Sequence, residues 1–179
     1  VSVSQVPVYF SMSGSLMPSS SFPDTWGERK EFFKEESIPH EIWKEDKIRK
    51  YAPYMSEECG EVMWVGEGQV NNRQLHDSLM VASRKLGVHI LEANVSGFIR
   101  KGHSIIAAVT DSGEVEGGGF VLASGSWSAQ LAKVLDVTVP LKPIKGQMCR
   151  LKLEDRFLDY TIHGMMTYIA PWPEGNGLV

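Results

Sequence analysis

Apolar and polar positions alternate over Val6 to Leu16, where Val8, Phe10 and Met12 oppose Tyr9 and Ser11, and the pattern predicts a strand ending at Gly14-Ser15-Leu16. The Ser- and Pro-rich stretch from Met17 to Pro23 predicts a loop. Asp24 predicts the N-cap of a helix that carries Trp26, Lys30, Phe33 and Lys34 and is ended by Ile38-Pro39. Trp43 to Tyr51 predicts a short charged helix stopped by Pro53. Glu61 to Val65, an apolar run between glycines, predicts a strand. Asn71 or Asn72 then caps a helix with Leu75, Leu79, Ala82 and Leu86 on one face and Gly87 as its stop. Val88 to Leu91 follows at once and predicts a further strand. A helix running straight into a short apolar strand is the signature of an α/β fold.

Beyond that point the punctuation is denser. Val95–Lys101, Ser104–Thr110 and Glu114–Gly118 predict three strands of a meander, turning at Lys101-Gly102 and at Asp111-Ser112-Gly113. Gly119 to Ala123 predicts an apolar strand, and Ser126 to Leu135 a helix with Trp127, Leu131 and Val134. Val139 to Lys145 is a Pro-containing connection. Gln147 to Leu153 predicts a half-exposed strand, Thr161 to Ala170 a strand or hairpin, and Pro171 to Gly177 a turn.

Composition narrows the function classes. The chain has 179 residues, room for one ordinary domain or two small lobes. Hydrophobic residues make up 42% and charged residues 22%, as in a soluble globular protein. The net charge of −4 gives a nucleic-acid partner no electrostatic support. No window approaches the roughly 20 apolar residues of a membrane span, and Val1 to Phe10 lacks the basic and apolar regions of a signal peptide. Cys59 and Cys149 form neither a metal spacing nor a disulfide framework, which predicts a reducing, cytoplasmic location. The acidic cluster Glu35-Glu36, Glu41 and Glu45-Asp46 predicts a solvated face, and no metal site is expected.

The order of short motifs is the most informative feature. It runs Gly68-x-Val70-Asn71, a helix, Gly87-Val88, Val95, Thr110-x-x-Gly113, Ala123-Ser124-Gly125-Ser126-Trp127-Ser128, Pro143-x-Lys145-Gly146-Gln147 and Tyr168-Ile169-Ala170-Pro171. This order resembles the central part of the FAD-dependent D-amino-acid-oxidase family, on its glycine oxidase and sarcosine oxidase branch. The resemblance runs from Gly14-Ser15-Leu16 onward. It implies an α/β fold: part of an FAD-binding dinucleotide fold with a β-meander, plus a partial mixed or antiparallel substrate-domain sheet. By this resemblance residues 1–68 and 143–179 are parts of the substrate domain and residues 69–142 a portion of the FAD-binding domain. The implied cofactor is FAD, the implied substrate a small amino acid or amine oxidised at its C–N bond, and the implied electron acceptor O2. Val95 matches the position where a backbone meets the adenine end of FAD. Ala123, Ser124, Gly125 and Trp127 match the loop that passes the pyrophosphate and ribose, where a backbone without Cβ permits close approach. Lys145-Gly146-Gln147 matches the crossover into the substrate sheet, and Tyr168 a tyrosine that faces the substrate. No catalytic residue is assigned. A homo-oligomer stays open.

Two departures matter. The phosphate-cradling Gly-x-Gly-x-x-Gly of such enzymes occurs nowhere in the sequence. Trp172 stands where family members often carry arginine after the Tyr-x-x-Pro segment. The expectation is therefore an incomplete piece of an oxidoreductase, inactive by itself. The rival readings are a non-catalytic binding module that keeps the substrate lobe without flavin, and an NAD(P)-linked enzyme, which the missing motif disfavours equally. Trp127 is balanced between cofactor contact and packing, Tyr168 between substrate contact and a half-buried strand position. His163, a lone strand histidine, is assigned a structural role, Met165-Met166 are read as core filling, and Lys145 reads more as a solvated lysine than as a flavin contact.

Overall fold

The computed structural model describes residues 2–154, 158–172 and 177–178. In chain order its strands and helices are β1 (Phe10–Ser11), β2 (Ser15–Pro18), α1 (Trp26–Glu35), β3 (His40–Trp43), α2 (Glu45–Tyr51), β4 (Val62–Val65), β5 (Gln69–Val70), α3 (Asn72–Lys85), β6 (Val95–Lys101), β7 (Ser104–Thr110), β8 (Gly113–Glu116), α4 (Ser128–Lys133), β9 (Leu151–Lys152), β10 (Thr161–His163), β11 (Tyr168–Ile169), β12 (Pro171–Trp172) and β13 (Gly177–Leu178). They fall into two compact units: Val1–Val88 with Met148–Val179, and His89–Gln147.

The first unit is built on a five-stranded mixed sheet in the order β11-β10-β2-β4-β3. Only β10 and β2 run parallel; the other pairs are antiparallel. Helices cover both faces, so β4 reads as an unbroken apolar run, Val62-Met63-Trp64-Val65. Side chains alternate across the sheet. Leu16, Trp43 and Val62 pack with Ile48 of α2 and with Ala52 just beyond it on one face, joined by Cys59 and Trp64. Met63 and Val65 pack with Phe33 of α1 and with Met17 and Ile42 on the other. Burial pushes the Tyr54 hydroxyl up to about 12 and raises the Cys59 thiol. A second small sheet, β12-β13-β9, and the β1–β5 pair complete the strands of this unit.

Helix α3 starts where Asn71 caps it: the Asn71 side-chain oxygen accepts from the amides of Arg73 and Gln74. It ends at Gly87, whose φ of +82° suits glycine. Its apolar residues Leu75, Leu79 and Leu86 are exposed within the described chain. The second unit holds the meander β6-β7-β8, with register shifts between Val95 and Gly97 and between Ile99 and Arg100. Ala107 and Ala108 of β7 and Ala132 of α4 are buried there.

Several sequence expectations shift. The Val6–Leu16 strand is two short ones, β1 and β2, and β2 runs on into the stretch expected as loop. Thr25 rather than Asp24 occupies the N-cap of α1. Trp43 closes a strand, and the charged helix begins only at Glu45. Val88 to Leu91 and Gly119 to Ala123 are not strands. An apolar run becomes a strand only where a neighbour takes its backbone hydrogen bonds, and the ladders of the described residues include neither segment; Val121 is 93% exposed. The expected strand Gln147–Leu153 shrinks to β9, and Pro171–Trp172 is a strand rather than part of a turn. Residues 173–176 of that turn lie outside the described residues.

Candidate functional site

In the first unit a hairpin sets the candidate site. Strands β10 and β11 pair antiparallel, with Gly164 N–H donating to the Thr167 carbonyl at 2.8 Å across the turn. The register places His163 directly opposite Tyr168, so both side chains stand on one face. Their rings lie 5.9 Å apart between centroids, tilted by 34°. Tyr168 is 52% exposed. From the β4–β5 connection the Glu67 carboxylate approaches His163 Nε2 at 3.1 Å. A carboxylate oxygen here only accepts, so the Nε2–H donates to it.

Gln69 fixes the opposite wall. Its Oε1 accepts from Thr161 Oγ1 at 3.2 Å and its Nε2 donates to the Pro171 carbonyl at 2.7 Å, tying β5, β10 and β12 together. Both ends of the amide are used, which holds the side chain in one orientation. Gly14 closes the site with φ +90°, and a Cβ there would sit 2.7 Å from the Val65 carbonyl oxygen and run into the Trp64 indole. Trp64 Nε1 is itself anchored to the Ser13 carbonyl at 3.1 Å. The resulting cleft measures about 290 Å³, and its ionisable lining is Glu67, His163 and Tyr168.

A larger cavity of about 470 Å³ lies elsewhere in the same unit, beside Ile48, Met55 and Cys59. On its charged rim Arg49 binds Glu45 at 2.6 Å and Glu57 at 3.6 Å, and Glu61 binds Lys30 at 3.5 Å. In the smaller cleft an imidazole, a carboxylate and a phenol converge.

In the second unit the residues expected at FAD sit on a short loop. Gly125–Trp127 forms one turn of 3-10 helix leading into α4. Trp127 N–H donates to the Ser124 carbonyl at 3.2 Å, and the Ser124 and Ser128 hydroxyls meet at 3.1 Å. Gly125 has φ +56°, and a Cβ added there would meet nothing within 4 Å. Glycine is set by backbone conformation at this point, with open space beside it. Trp127 is 62% exposed, and Ala123 is exposed as well. Val95 opens β6 opposite Thr110, next to a joint in which Asn94 donates twice to the Asp111 carboxylate, at 3.1 and 2.8 Å. These hydrogen bonds hold the Asp111 carboxyl below its ordinary range. An exposed indole, an exposed valine and an open glycine backbone fit one flank of a dinucleotide. Lys145, Gly146 and Gln147 are exposed and belong to no strand.

Sequence reasoning singled out Tyr168 and the 123–127 loop but set His163 aside and gave Glu67 no role. The two are 96 residues apart, and only the fold joins them. The signal was faint: His163 lies five residues from Tyr168, the spacing of a tight hairpin. Among the described residues no group of three or more His, Cys, Asp or Glu stands together to hold a metal, and no helix is long and apolar enough to cross a membrane.

The fold defines the class. Solved glycine oxidases superpose on 99% of the chain: that of Geobacillus kaustophilus with a TM-score of 0.88 at 20% identity, and that of Bacillus cereus with 0.85 at 19%. The chain covers 49% and 50% of those proteins. This chain belongs to the FAD dependent oxidoreductase (DAO) family, whose model matches residues 4–179. Among curated relatives, the bifunctional protein ThiO/ThiG of Synechocystis sp. is 33% identical over 142 residues, 75% of this chain and 21% of that protein. The glycine oxidase of Pseudomonas aeruginosa is 32% identical over 117 residues, 64% of this chain and 32% of that protein. The chain thus spans a fifth to a third of the length of these curated relatives and about half that of the solved glycine oxidases.

Proposed function

We propose that the complete protein is an FAD-dependent oxidase of a small amino acid or amine, glycine oxidase-like in reaction. Family membership supports the flavin chemistry, and similarity to a glycine oxidase supports the substrate class. The observation that carries the reading is the cleft in which Tyr168 and His163 share one face, a small polar chamber suited to a substrate of a few heavy atoms.

FAD, when bound, supplies the acceptor for the hydride leaving the carbon next to nitrogen, with O2 as the terminal oxidant. Residues 69–142 contribute Val95, Ala123, Ser124, Gly125 and Trp127 to hold it: backbone approach at Gly125, apolar contact at Val95 and Trp127, and hydroxyl hydrogen bonds at Ser124. Residues 1–68 and 143–179 form the substrate lobe. There the Tyr168 hydroxyl orients the substrate, its ring narrows the cleft against water, and the Gln69 amide keeps the wall in place. Both cysteines are free, which supports a cytoplasmic setting.

The test is direct. The purified complete protein is expected to be yellow, with flavin absorbance bands that bleach anaerobically on adding a small amino acid. Tyr168→Phe is expected to cost about 1.5–3 kcal/mol in kcat/KM, the loss of one hydrogen bond to a charged partner, with FAD content unchanged. An unaltered kcat/KM for every accepted substrate removes Tyr168 from substrate contact.

A further inference from the structure

The Glu67–His163 pair joins two segments that only the fold brings together. Glu67 comes from the β4–β5 connection, His163 from β10, and the two meet at 3.1 Å inside the cleft that Tyr168 lines. Because the carboxylate only accepts, it selects, in the neutral imidazole, the tautomer with hydrogen on Nε2 and a free lone pair on Nδ1. A carboxylate that holds an imidazole in one tautomer leaves the other nitrogen aimed at a partner. The groups facing His163 are Glu67 from the loop and Tyr168 from β11. The neighbouring strand β2 brings Ser15 and Leu16 to β10, and neither carries charge. Among the described residues nothing else ionisable lines the cleft.

We propose that Glu67 and His163 form a substrate-amine recognition dyad, in which His163 Nδ1 accepts an N–H from the amine and takes the proton of an incoming ammonium. The inference rests on the oxidase reading above and deepens it. The proton balance is simple. One N–H bond of the ammonium breaks, the pair stays on nitrogen, Nδ1 becomes protonated, and the imidazolium later returns that proton to water. The substrate is left as the neutral amine, whose lone pair is what loss of hydride from the adjacent carbon needs. Glu67 stabilises the imidazolium formed in between, and Tyr168 packs against the ring that carries it.

The experiment uses the complete protein and has two parts. In nitrogen-15 spectra of the imidazoles near neutral pH, His163 is expected as the Nε2–H tautomer, moving to a tautomer mixture in Glu67→Gln. Added glycine is expected to shift the His163 resonances, and added glycolate, which has hydroxyl in place of amine, to leave them unmoved. In steady-state kinetics with glycine and with N-methylglycine, kcat/KM is expected to show an acid limb that falls about tenfold per pH unit. His163→Gln is expected to abolish that acid limb and lower kcat/KM about 100-fold, the low end of general acid–base effects, while inhibition by glycolate changes less than twofold. An acid limb that persists unchanged in His163→Gln overturns the dyad, as does a glycine response indistinguishable from that of glycolate. If no amine reduces the flavin, the oxidase reading fails instead. The tautomer and the glycine-against-glycolate shift still decide whether the dyad reads an amine.

Discussion

At Gly14 the chain has φ +90° with the Val65 carbonyl and the Trp64 indole pressed against it. Gly14→Ala meets both the left-handed backbone penalty and a backbone clash, and is expected to lower stability by about 2–4 kcal/mol in urea unfolding. The two thiols make a second contrast. Cys59 is buried and its thiol is pushed up by burial, whereas Cys149 is exposed. The thiolate is the reactive form, so an aromatic disulfide reagent is expected to titrate one thiol quickly and the second only at the rate of unfolding. Two equally fast thiols would show that the Cys59 packing is wrong. Asp111 gives a pH prediction. Asn94 holds it as the carboxylate, below its ordinary value. A depressed carboxyl contributes stability above its unfolded pKa of about 4, and the contribution disappears as pH falls through the folded value. The urea midpoint of Asp111→Asn is therefore expected below that of wild type near pH 7, the two converging once pH falls below the folded value.

At the scale of elements, helix α3 depends on its first turn. The Asn71 side chain satisfies two amides that have no partner in the helix, so Asn71→Ala is expected to cost about 1 kcal/mol. The measurement is the unfolding midpoint together with amide exchange at Arg73 and Gln74, which the variant should accelerate. This cap, the Gly87 stop and the three meander strands were readable in the sequence because their signals are local: an Asn before an apolar stripe, a glycine after it, and Gly-containing turns between alternating runs. Helix α3, β6 and β7 consequently start within a residue of the expected positions. Val88–Leu91 and Gly119–Ala123 misled for the opposite reason. Their apolar content is local, but a strand needs a partner supplied by the rest of the fold. Strand β3 was hidden because His40-Glu41-Ile42-Trp43 runs straight into a helical pattern, and only its ladder with β4 reveals it. For the candidate sites, Tyr168 and the 123–127 loop were singled out through their motifs. The Glu67–His163 pair was not, since no periodicity links residues so far apart.

For the whole molecule, the family assignment makes the 123–127 loop the place to test cofactor retention. Gly125→Val in the complete protein is expected to give colourless or pale protein with near-normal circular dichroism. The branched side chain fills the open space that the proposed function gives to the cofactor and strains a backbone at φ +56°. Normal flavin content would remove this loop from the FAD site. The 179-residue chain alone contains no Gly-x-Gly-x-x-Gly, and in a titration it is expected to bind FAD more weakly than about 1 μM, or about −8 kcal/mol. One feature of the first unit bears on how the protein is made. Strand β2 finds its parallel neighbour β10 only after the chain has left for the second unit and returned. On the ribosome, about 140 residues separate the two, roughly 7–30 s of synthesis at ordinary elongation rates. Throughout that interval β2, already laddered to β4 on one side, offers an unfilled row of amides and carbonyls on the other. A nascent sheet with a vacant seat at its centre invites any passing strand, so the hazard of misassembly belongs to the unfinished protein and vanishes when β10 arrives.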